Sequence, residues 1–190
     1  MIAVIGKIGV GKSTFLHNCG VDEHKIFFTD KFVEKEYQKN GVLYNAIKSK
    51  IGDFLIDDNG VSKSKIREWI NQTYSNINIL EKVVMPEIFR ALKKGNYELV
   101  ELPILVNENF DFLPLFNMVL CLSTSEQKRQ KNLLKRNVDK STLRALDKKN
   151  DTKKAIKALF SKIPVVDIYM DNFESIDQNK KILKLVLLML

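Results

Sequence analysis

A chain of 190 residues is one domain's worth of protein, or one domain carrying an insert. Its 45% hydrophobic content can bury a core, which excludes whole-chain disorder, and its 2 cysteines, Cys19 and Cys121, match no metal-ligand spacing and exclude a disulfide framework. A net charge of +8 points to an anionic partner: a nucleotide, a nucleic acid or a membrane surface.

The opening residues Met1-Ile2-Ala3-Val4-Ile5-Gly6 carry no basic leader pattern and read as a strand rather than a signal peptide. Ile2 to Ile5 is a continuous apolar run, as a parallel strand buried on both faces requires. Ser13 to Asn18 reads as a helix closed at Gly20. Ile26 to Thr29 reads as a second strand, with Asp30 at its end, and Asp30 to Asn40 as a helix ending at Gly41. A helical block follows. Its apolar stripe runs from Val42 to Ile56, Asp57-Asp58-Asn59-Gly60 is a turn, and helices are expected over Ser62–Trp69 and Ile77–Leu92, the latter containing Pro86. Further strands are expected over Tyr97–Leu102, Met118–Leu122 and Pro164–Met170, then a helix from Ile176 to Leu190. Alternating strands and helices imply an α/β domain with a parallel sheet. No apolar run approaches the roughly 20 residues of a membrane span, so a cytoplasmic protein without membrane contact is expected.

The charge is concentrated. Between Thr124 and Lys162 stand thirteen basic residues against four acidic ones. Of the 5 arginines, Arg129, Arg136 and Arg144 fall in that segment, where a lid over phosphates and a solvated helical face are both readings of the pattern. Its only aromatic residue is Phe160, so the stacking platforms of a single-strand nucleic-acid binder are absent.

Gly6-Lys7-Ile8-Gly9-Val10-Gly11-Lys12-Ser13-Thr14 fits G-x-x-x-x-G-K-[ST] completely, between a buried strand and a helix. Glycines let such a loop aim consecutive N–H groups at phosphate oxygens, and the helix N-terminus adds its positive end. Lys12 is then expected to reach the β- and γ-phosphates of ATP, and the Ser13 hydroxyl to ligate Mg²⁺. Asp30 is either a general base facing the ligand crevice or the N-cap of the helix that follows. Glu101 ends a strand and is either a carboxylate that orients Mg²⁺ through water, the expected role, or merely an acidic strand end. A guanine-nucleotide switch is disfavoured, because N-K-x-D is missing.

In this order the motifs resemble dephospho-coenzyme A kinase, a P-loop kinase of the nucleoside-monophosphate-kinase-like group, from about Ala3 to Asn172. The loop is similar to that family's GGIGSGKST. Phe28-Thr29-Asp30 resembles its D-A-D, Asn59-Gly60 through Ile66 its DG…R…L segment, and Glu101-Leu102-Pro103-Ile104-Leu105 its D-V-P-L-L. Arg136-Asn137 lies near its lid R-D, and Asp171-Asn172 matches its late D-N. Met85 stands in place of a His, Lys63 in place of an Arg, and Asn107-Glu108 where Glu is expected first. The resemblance implies a three-layer P-loop kinase with a central parallel five-stranded sheet. Its core would be residues 1–30, 96–124 and 163–190, its helical substrate-binding insert about 31–95 and its lid about 125–162. It implies ATP and dephospho-coenzyme A as substrates, with Asp30, Lys12 and Arg136 as catalytic residues. A kinase for another nucleotide and a nucleotide-dependent nucleic-acid-binding protein are the alternatives.

Overall fold

Two apolar runs make the centre of the sheet. In β1 (Ile2–Ile5) and over Met118–Leu122 of β6 (Met118–Ser123) every side chain is buried, because neighbouring strands and covering helices exclude water from both faces. The computed structural model describes residues 1–73, 75–103, 105, 109–135, 156–157, 159, 161–172 and 175–188. Together with β2 (Ile26–Phe28), β5 (Leu99–Glu101) and β7 (Val165–Tyr169), these strands form a five-stranded sheet in the order β2-β5-β1-β6-β7. β1 runs parallel to β5 on one side and to β6 on the other, and β6 is parallel to β7. β1 is thus the strand from which the order departs in both directions, the place where an open α/β sheet leaves a crevice at its carboxyl end. β7 is one edge, and it alternates: Ile168 is buried, while Asp167 and Tyr169 face solvent and blunt that edge against further pairing.

The chain forms two compact units. The first comprises Met1–Phe27, Tyr97–Leu105 and Leu113–Leu190, and the second Phe28–Asn96 with Val106–Phe112. In the first, α1 (Lys12–Asn18) buries Phe15 and Leu16 and packs on β5 and on α7 (Ile176–Leu187). α7 begins with a capping box in which Ser175 and Gln178 satisfy each other's backbone N–H groups.

The second unit is helical: α2 (Thr29–Glu36), α3 (Val42–Lys50), α4 (Lys63–Gln72) and α5 (Ser75–Lys94) pack through α3 and α5. α5 keeps Pro86 inside it. Phe89, Phe110 and Phe112 form an aromatic cluster with centroids 4.9 to 6.1 Å apart. The buried Glu81 carboxylate accepts from Asn109 Nδ2 at 2.9 Å.

Two local readings of the sequence change here. The apolar stripe is helical only to Lys50. Asp53–Leu55 is a single 3₁₀ turn, and Ile56–Asp57 (β3) pairs antiparallel with Gly60–Val61 (β4). The cause is local: Asp57 Oδ1 accepts from Asn59 N–H at 2.9 Å, closing an Asx turn, and Val61 N–H donates to the Tyr37 carbonyl at 2.8 Å. Asp30 does not end a strand, because β2 stops at Phe28. Asp30 lies in the first turn of α2, whose N-cap is Phe28 with no side-chain capping bond.

Candidate functional site

The loop between β1 and α1 takes its shape from positive φ angles and a close backbone approach, both of which favour glycine. Gly6 has φ +152°, and a Cβ there would lie 2.5 Å from the Leu122 carbonyl oxygen on β6. Gly9 has φ +87°, and a Cβ there would press on Leu133 at 3.0 Å and on Arg129 at 3.3 Å. Both contacts follow from parallel pairing: β6 lies beside β1 and feeds α6 (Glu126–Leu134), whose side chains meet the loop.

Lys12 curls back over the loop. Its Nζ donates to the Gly6 carbonyl at 2.8 Å and to the Lys7 carbonyl at 3.4 Å. Ser13, at the start of α1, donates from Oγ to Glu101, 3.2 Å from Oε1 and 3.4 Å from Oε2. Parallel register places Glu101 beside Val4, so the carboxylate reaches the same end of the sheet as the loop. A hydroxyl and a carboxylate form a set of hard oxygen donors, the kind that suits Mg²⁺ rather than a thiophilic metal. Among the described residues, no group of three or more His, Cys, Asp or Glu side chains could hold a metal by itself.

α6 holds the loop from outside. Arg129 is only 5% exposed, and its Nε donates to the Ile8 carbonyl at 2.9 Å. Asn132 Nδ2 donates to the Gly9 carbonyl at 2.8 Å. Arg129 is therefore part of the loop's support and not a solvated arginine. The start of α6 is fixed in turn by Asp171: its Oδ1 accepts from Ser125 N–H at 3.0 Å and from the Thr124 hydroxyl, and its Oδ2 from the Tyr169 hydroxyl at 3.2 Å. These bonds, with Ser125 and Thr124 foremost, hold the Asp171 carboxyl well below the usual carboxylate range. Gln130, foremost, and the Arg129 charge lower Glu126 in the same way.

Of the residues singled out in the sequence, Gly6 to Thr14 and Glu101 come together in the first unit. Asp30 lies in the second unit and is exposed. Arg136 and Arg144 lie outside the described residues. Asn132 gave no signal in the sequence. The i,i+3 spacing of Arg129 and Asn132 puts both on one helical face, but nothing local shows that the face meets a loop more than a hundred positions away.

Among the described residues no helix is long and apolar enough to cross a membrane. A protein of known structure from Thermus thermophilus superposes with a TM-score of 0.70 at 17% identity, covering 100% of this chain and 96% of that one. A dephospho-CoA kinase from Campylobacter jejuni gives 0.54 at 18% identity, over 97% of this chain and 94% of its own. At such identities these likenesses show the α/β P-loop kinase fold. In sequence, the chain is 27% identical over 147 residues to the dephospho-CoA kinase of Mycoplasma genitalium, spanning 74% of each protein. It is 25% identical to that of Streptococcus thermophilus, over 97% of this chain and 94% of the relative. The family model for dephospho-CoA kinase matches residues 1–177, and the chain belongs to that family.

Proposed function

We propose that the chain transfers the γ-phosphoryl group of ATP to the ribose 3′-hydroxyl of dephospho-coenzyme A, releasing coenzyme A and ADP. The carrying observation is a complete phosphate loop, with Ser13 held against Glu101, in a member of the dephospho-CoA kinase family. In the reaction the ribose oxygen bonds to the γ-phosphorus as the bond from that phosphorus to the bridging oxygen breaks, and the hydroxyl proton must leave.

The residues divide the work by charge. The loop N–H groups from Gly9 to Thr14 receive the phosphate oxygens, with Gly6, Lys7 and Ile8 forming the entry to the turn. Lys12 exchanges the Gly6 and Lys7 carbonyls for the β- and γ-phosphates, where its charge offsets the charge of the transferring group. Ser13, and Glu101 through water, would hold Mg²⁺, which would supply neutralisation of phosphate charge. Asp30 accepts the hydroxyl proton. Its exposure in the first turn of α2 makes the carboxylate accessible for this role. Arg136 is assigned to the transferring phosphoryl group on the strength of the R-D resemblance alone.

The test is an acceptor panel. Purified protein with Mg-ATP is offered dephospho-coenzyme A, AMP and CMP, and ADP and phosphorylated product are followed. Coenzyme A formation from the first acceptor is expected. Turnover of AMP or CMP with none of dephospho-coenzyme A would sink the assignment.

A further inference from the structure

Arg129 and Asn132 grip two successive peptide carbonyls of the phosphate loop, those of Ile8 and Gly9. A trans peptide points its N–H opposite to its C=O, and none of the loop peptides is cis. With the Ile8 carbonyl drawn toward α6, the N–H of Gly9 is turned away from α6. With the Gly9 carbonyl drawn the same way, so is the N–H of Val10. That second N–H donates to the Lys7 carbonyl at 3.4 Å, a long bond that a phosphate oxygen readily replaces. Leu133, packed against the Gly9 backbone, keeps the loop from sinking toward the helix.

We propose that Asn132 and Arg129 are positioning residues for the nucleotide: they hold the Ile8 and Gly9 peptides with their N–H groups already turned to the phosphates, so that ATP meets a preformed loop. The inference rests on the nucleotide half of the proposed reaction and not on the identity of the acceptor. Neither residue touches the reacting atoms in this scheme. Their effect falls on ground-state binding of ATP, which appears as a change in KM for ATP with kcat little altered. Asp171 anchors the start of the helix that carries both side chains, so the grip begins from a fixed point.

Asn132 is half-buried, and its variants separate this role from a general one in stability. Asn132→Leu keeps the approximate shape and removes the donor. Asn132→Asp keeps the shape and sets a carboxylate against the Gly9 carbonyl. Calorimetric titration with Mg-ATP in the absence of acceptor should show Kd raised about tenfold by Leu, and at least as much by Asp. The KM for ATP should rise in step, with kcat within about threefold of wild type and the KM for dephospho-coenzyme A unchanged. Arg129→Lys, which keeps the charge and loses the Nε donor, should act in the same direction, read on the folded fraction established by circular dichroism. An ATP Kd within twofold of wild type in both Asn132 variants overturns the proposal. So does a loss of thermal stability with ATP affinity intact. If the unchanged protein binds ATP but leaves dephospho-coenzyme A untouched, the acceptor assignment fails, while the titrations still decide the grip. If it binds no ATP, both fail.

Discussion

Asp30 carries two readings in the sequence, base or helix cap, and the structure removes one of them. The N-cap position of α2 is Phe28, and Asp30 sits two residues further on, in the first turn and exposed. A carboxylate in a first turn still gains from the helix dipole, typically by 0.3–1 kcal/mol, a contribution Asn forgoes. Asp30→Asn is therefore expected to lower turnover by about 10² to 10⁴ while the melting temperature moves by only a few degrees. The single-turnover rate of this variant decides it: a rate within a few-fold of wild type means that another group takes the proton, with Glu101 the next candidate. At this scale the sequence was legible where a spacing is itself a backbone requirement. G-x-x-x-x-G-K-S dictates where Lys12 and Ser13 stand. It was silent on Asn132, because that residue acts on a carbonyl 123 positions away, and it left Arg129 open between a lid and a solvated face, of which burial against the loop excludes the second.

Among the elements, the junction of β6 and α6 is the one that charge controls. Asp171 closes the last turn after β7 and accepts from Thr124 and Ser125, so one carboxylate ties the end of one strand to the helix beside the next. Its depressed pKa means that the folded state prefers the ionised form. Stability from this source is fully present above the ordinary carboxylate pKa of about 3.9 and is lost as pH falls through and below it. Asp171→Asn should therefore melt below wild type at pH 7, and the gap should close as the pH is lowered past about 4. A gap independent of pH would mean that packing, not charge, sets the effect. Element by element, the strands were legible to within a few residues because buried parallel strands are continuous apolar runs. The β3–β4 hairpin was missed. Two-residue strands carry no periodicity, and the Asx turn at Asp57 that closes them reads simply as a turn.

For the molecule as a whole, the α/β class was readable from alternation, but the order β2-β5-β1-β6-β7 was not, since it pairs strands separated by long stretches of chain. What the whole molecule adds is linkage: a ligand that binds only the folded protein raises its melting temperature by an amount set by its affinity. ATP at 100 times its Kd contributes about 2.7 kcal/mol. For a chain of this size each kcal/mol is worth roughly 2–4 °C, so a rise of about 5–11 °C is expected with Mg-ATP. Lys12→Ala removes a charged hydrogen bond to the phosphates, which costs about 1.5–3 kcal/mol, or a 10- to 100-fold weaker Kd. At the same ATP concentration the residual stabilisation is then about 1.4 to 0.4 kcal/mol, a rise of roughly 1–6 °C. The variant's melting temperature without nucleotide should stay close to wild type, because Lys12 lies in a partly exposed loop, where giving up its hydrogen bonds to the Gly6 and Lys7 carbonyls opens no cavity in the core. Differential scanning fluorimetry of the two proteins over a series of Mg-ATP concentrations measures all of these quantities at once. Superimposable shifts in wild type and Lys12→Ala would place the stabilising ATP somewhere other than the loop from Gly6 to Thr14.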